Sequence, residues 1–120
     1  MILGLCKRIR WYTSAIRFAY RSMSFKIWLS ICTVSIVAGL VVDIGMTKLC
    51  LLVAIAMLGL GLETANSAIE HLCNLIEPKH NPDVKVIKDA FGAVPALMWS
   101  TYIICWLILV APTIYLRLTQ

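Results

Sequence analysis

The chain has 120 residues, 61% of them hydrophobic and only 14% charged, with a formal net charge of +5, and its mean hydropathy is +0.87. A soluble chain this short exposes a large share of its surface and needs polar side chains to cover it. These values exclude an ordinary soluble enzyme, a disordered chain and a secreted disulfide scaffold, and leave a small, single-domain integral membrane protein.

Residues 1–26 read as a basic surface helix. Lys7, Arg8, Arg10, Arg17, Arg21 and Lys26 occur without a single acid, interspersed with Trp11, Ile16, Phe18 and Tyr20. Such a segment suits an anionic lipid surface, or serves as a basic flank that fixes topology. The apolar start is too short for the core of a signal peptide. Residues 27–47 are predicted as the first membrane helix, long enough to cross the hydrocarbon core. A short turn follows around Asp43. The second membrane helix is predicted over 49–76. Pro78 and Pro82 break it, in a polar loop. The third is predicted over 89–116 and includes 27 uncharged residues from Ala90 to Leu116.

The basic residues set the expected orientation. With the N-terminus in the cytoplasm, Lys79, Lys85 and Lys88 join the six basic residues of the opening, and only Lys48 and Arg117 lie outside. The loop would then face the compartment that holds ATP. The chain is expected to cross its membrane several times. The five cysteines (Cys6, Cys32, Cys50, Cys73 and Cys105) form no C-x-x-C pair and sit mostly in apolar runs, so neither disulfide nor zinc is expected. Nucleic acid is not an expected partner, because the charges adjoin membrane spans.

The second span carries a polar stripe. Glu63, Asn66, Glu70, Asn74 and Glu77 fall within about 80° of one helix face at about 100° per residue. Carboxylates at membrane depth are expensive and are rarely placed there for stability. Glu63 is the deepest, preceded by 14 uncharged residues. It is therefore the candidate proton acceptor. The plainer alternatives are a solvated charge for Glu77, an inter-helix hydrogen bond for Asn74 and an ion-pair role for Glu63 or Glu70. Lys79, His80, Lys85 and Lys88 surround the loop that follows. Lysines neutralise phosphate charge, and carboxylates serve as base and magnesium ligand. No G-x-x-x-x-G-K-[ST] loop is present, so ATP binding of the P-loop kind is excluded.

The run from Glu63 to Glu70 reads E-T-A-N-S-A-I-E, and Lys88-Asp89 follows eighteen residues after Glu70. Together with the Pro/His-containing loop, this resembles the small bacterial diacylglycerol kinase and undecaprenol kinase family over about residues 15–110. Phe25-Lys26 resembles that family's F-R element before the first span. The resemblance implies an all-α membrane protein, with an N-terminal amphipathic surface helix, three transmembrane helices and a homotrimeric assembly. It implies an ATP- and Mg2+-dependent lipid kinase that phosphorylates the primary hydroxyl of diacylglycerol, with undecaprenol as the alternative substrate. By the same resemblance, Glu63 would be the catalytic base, supported by Asn66. Glu70 would hold the metal that bridges the ATP phosphates. Lys79, His80, Lys88 and Asp89 would contact the nucleotide.

The chain departs from the family pattern at Ser22, where the family has a second metal-holding glutamate, and at Asn74, where it has an aspartate. Ser22 motivates a second reading, a catalytically weak homologue that acts as a membrane interaction protein. A proton-coupled transporter using Glu63 is a third, disfavoured because transport needs no phosphate ligands.

Overall fold

A computed structural model describes residues 2–79 and 81–119. The protein is an all-α membrane protein, with no strand among the described residues. Its helices are α1 (Ile2–Ala19), α2 (Met23–Val42), α3 (Met46–Ile76), α4 (Pro82–Leu109) and α5 (Ala111–Leu118). Three stretches are long and apolar enough to cross a membrane: α2, α3, and α4 continued through α5.

The boundaries move from their predicted places for local reasons. The basic opening is not one helix to residue 26, because α1 stops at Ala19 and α2 starts at Met23. Ser22 caps α2, its hydroxyl accepting the Phe25 N–H at 3.4 Å. The first span therefore begins four residues early and takes Lys26 into its first turn. It ends at Val42 because Asp43 adopts the left-handed conformation (φ 52°) and Gly45 follows at φ 90°. Asn81 caps α4, its side chain accepting the Asp83 N–H at 2.9 Å. Pro82, expected as a breaker, is instead the first residue of that helix, where its missing N–H costs nothing. Pro112 ends the straight run of the last span, and Val110 closes α4 and opens α5.

Helix α3 is the spine, packing most extensively on α4, then on α2, with α1 laid against it. Its 31 residues make it about 46 Å long, well beyond a hydrocarbon core of about 30 Å. One end of α3 therefore projects past the apolar layer, and its polar stripe runs from membrane depth out to the 77–81 loop.

The core gathers Cys32, Ile44, Leu52, Ala56, Trp99, Tyr102 and Val110. Within it the Tyr102 and Ser35 hydroxyls are hydrogen-bonded between α4 and α2. Inter-helix bonds of this kind contribute modestly, because a membrane-embedded unfolded chain also finds partners. Tyr102→Phe is accordingly expected to cost about 1 kcal/mol, read as the shift in unfolding by SDS titration, with no change in helix content.

Candidate active site

The polar stripe of α3 opens on two clefts. The first has a volume of about 470 Å³ and is lined by Glu63, Asn66, Ser67 and Glu70 of α3, Ser22, Ser24 and Trp28 at the start of α2, and a face of α4. That face is Gly92, Pro95, Ala96, Trp99, Ser100 and Ile103, at offsets of three and four, so α4 presents one side to the cleft. Gly92, Ala96 and Ser100 are the small residues of this face.

Glu63 is 5% exposed. Its Oε2 accepts a hydrogen bond of 3.2 Å from the Trp99 indole Nε1. Trp99 is itself buried and stacks on Trp28, with ring centroids 4.2 Å apart and planes 5° from parallel. Gly59 makes this possible: a Cβ there would meet the Trp99 ring at 2.8 Å. Four residues past Glu70's hydrogen-bond partner the stripe is already open. Asn66 is buried and its Nδ2 donates to Glu70 Oε1 at 3.3 Å, while Glu70 is exposed. The Asn66 Oδ1 is buried with no hydrogen-bond partner among the described residues. Such an orphan acceptor calls for a donor or a cation. Among the described residues neither Glu63 nor Glu70 is ion-paired, the single ion pair being Arg117 with Asp43.

The second cleft, of about 270 Å³, lies at the loop end. Asn74, Glu77, Lys79, Lys85, Lys88 and Asp89 line it. Lys88 Nζ donates to Asn74 Oδ1 at 2.6 Å, which ties α4 to α3. The inter-helix reading of Asn74 thus holds. Glu77 Oε1 accepts the Lys79 N–H at 3.2 Å and so fixes the turn that leaves α3. Phe18 of α1 meets His71 edge-on at 5.8 Å, which seats α1 beside the clefts.

The predicted site residues therefore fall in two groups. Glu63, Asn66 and Glu70 come together in the deep cleft, and Lys79, Lys88 and Asp89 in the outer one. His80 lies outside the described residues. The two groups share one face of α3, with Glu63 and Asn74 about 16 Å apart along its axis. Trp99 and Trp28 were not singled out from the sequence. The signal available was an indole N–H, which needs an acceptor when buried, in an otherwise apolar span.

A divalent cation fits the deep cleft in one manner. Among the described residues no cluster of three or more His, Cys, Asp or Glu gathers that would hold an ion alone. Mg2+ does not require one, since it is commonly held by one or two carboxylates together with substrate phosphates and water. The exposed Glu70 carboxylate beside the unpartnered Asn66 oxygen is such a donor set.

A membrane protein whose spanning helix carries carboxylates into a cleft, with lysines gathered where that helix leaves the membrane, has the layout of an enzyme joining a lipid to a charged co-substrate. A family model described as prokaryotic diacylglycerol kinase matches residues 13–110. The chain belongs to that family, and is a lipid kinase of the diacylglycerol and undecaprenol kinase type. Neither the comparison with curated proteins nor that with solved structures returns a match.

Proposed function

We propose that the protein is an ATP- and Mg2+-dependent diacylglycerol kinase of the bacterial inner membrane, with its N-terminus and active site cytoplasmic. The observation that carries this reading is Glu63, a buried carboxylate on a membrane helix that opens on a cleft and has no ion-pair partner among the described residues. Nothing in the packing around it calls for a charge. A base that takes the proton of a lipid hydroxyl does.

In this reading the lipid enters the deep cleft laterally and places its primary hydroxyl at Glu63. Asn66 is the supporting polar group beside the reacting oxygens. Glu70 holds Mg2+, which when bound neutralises charge on the ATP phosphates. Lys79, Lys88 and Asp89 take the nucleotide at the outer cleft, and the family resemblance assigns His80, outside the described residues, to the same task. The 16 Å between the two groups, about eleven helical residues, suits an extended nucleoside triphosphate lying along α3 with its γ-phosphate inward. The catalytic gain comes chiefly from positioning and charge neutralisation. A homotrimer, in which neighbouring copies wall the open sides of the cleft, completes the proposal.

Phosphate transfer from labelled ATP tests it. Purified protein in mixed micelles is offered diacylglycerol and undecaprenol in parallel, with and without Mg2+. Diacylglycerol is expected to be labelled, and only with the metal present. Labelling of undecaprenol alone moves the protein to the other branch. Labelling of neither by folded protein leaves the membrane interaction protein as the standing reading, with Ser22 as the reason.

The Ser22 departure gives a separate expected result. Ser22 both caps α2 and lines the deep cleft. Aspartate caps a helix as well as serine does, so Ser22→Asp adds a carboxylate to the cleft without removing the cap. The Mg2+ concentration giving half-maximal transfer is expected to fall by about tenfold. An unchanged metal titration in a folded variant would show that position 22 does not face the metal.

A further inference from the structure

We propose that Trp99 is a positioning residue for phosphate transfer: its indole holds one oxygen of Glu63 so that the other, Oε1, takes the proton of the lipid hydroxyl. The inference rests on Glu63 being the base and assigns a role to a residue outside the motif.

Three observations carry it. First, the bond from Trp99 Nε1 to Glu63 Oε2 is made between two buried groups lining the same cleft. Second, the indole has little freedom to move. Trp28 stacks on its face, and the Tyr102 ring stands edge-on at 6.2 Å and 83°. Tyr102 is tied in turn to Ser35. The absent Cβ of Gly59 leaves room for the far edge of the ring. Third, an indole N–H donates and never accepts. It serves a carboxylate oxygen and offers no place for a proton on that oxygen.

The bond satisfies the buried indole N–H and at the same time fixes the carboxylate's rotation. The proton leaves the lipid oxygen for Oε1 as that oxygen bonds to the γ-phosphorus. The bond from the γ-phosphorus to the bridging oxygen breaks, and ADP leaves with the electron pair.

The test uses the full chain in lipid micelles and two replacements at position 99. Trp99→Phe removes the donor and part of the ring. Incorporation of 3-benzothienylalanine removes only the donor, putting sulfur in place of the N–H at nearly constant shape. Both are expected to lower kcat by about tenfold, the cost of a modest misplacement of the base. KM for lipid and for ATP should stay within about twofold, since neither substrate touches the lost group. An independent readout needs no turnover: in protein labelled with 15N at the indoles, the Trp99 resonance should move on Glu63→Gln while that of Trp106 stays.

Wild-type kcat in the benzothienyl protein, a loss confined to KM, or a Trp99 resonance indifferent to Glu63→Gln each overturns the positioning role. If Glu63→Gln retains full transfer, the assignment of the base fails and the inference with it. If Glu63→Gln is inactive while the benzothienyl protein keeps full kcat, the positioning role alone fails.

Discussion

Glu63→Gln is expected to lower kcat for phosphate transfer by roughly 10²–10⁴-fold, the usual worth of a positioned general base. The protein should remain folded. Glutamine has nearly the same shape, and its amide oxygen still accepts the Trp99 indole hydrogen. No salt bridge is broken, because none holds Glu63 among the described residues. Removing a charge from membrane depth lowers a cost rather than adding one. The substitution therefore separates chemistry from stability more cleanly than most changes to a buried residue. Single-turnover transfer from labelled ATP and SDS unfolding, run side by side, check it. Transfer within about tenfold of wild type would assign Glu63 to structure and would need another base.

The two parts of the site differ in how far the sequence exposed them. The stripe from Glu63 to Glu77 was legible because a helix repeats its faces every three or four residues, and polar side chains stand out against an apolar background. Lys88 and Asp89 were legible as a pair but not by contact. That Lys88 reaches Asn74 rather than a carboxylate depends on how α4 leans on α3, which no spacing along one chain encodes. Trp99 was hidden by its context. In a span of 27 uncharged residues an indole reads as one more lipid-facing or core aromatic. Its meaning comes from Glu63, 36 positions away in sequence. The helix ends shifted for a related reason: Ser22 and Asn81 act through single side-chain hydrogen bonds, which composition over a window does not register. The exposed apolar faces of α2, α3 and α4 were expected from composition, since a chain with so few charges must leave its hydrocarbon surface to lipid or to neighbouring copies.

Gly59→Ala is expected to be the most damaging conservative substitution outside the polar stripe. Alanine favours a helix more than glycine does, so on an open helix face the change would stabilise by up to about 1 kcal/mol. Here the added Cβ would lie 2.8 Å from Cη2 and Cζ3 of Trp99 and 3.2 Å from Cε3. The indole is stacked on Trp28 and abuts Tyr102, so its retreat from the new methyl is restricted on both sides. Overpacking of this kind costs about 1–3 kcal/mol and outweighs the gain in propensity. The larger consequence is for chemistry. Any shift of the indole drags the hydrogen bond that orients Glu63, and a displacement of about 1 Å at a reacting group lowers the rate by about 10²-fold. Both effects are measurable, by SDS unfolding and by phosphate transfer. A second substitution distinguishes them. Trp99→Phe removes the atoms that the new Cβ would strike, so Gly59→Ala combined with Trp99→Phe should recover stability. It should transfer phosphate at the rate of Trp99→Phe alone, because relieving the clash does not restore the donor. A double variant no more stable than Gly59→Ala would mean that the added methyl acts on something other than Trp99. Wild-type transfer in Gly59→Ala itself would mean that the indole can move without disturbing Glu63.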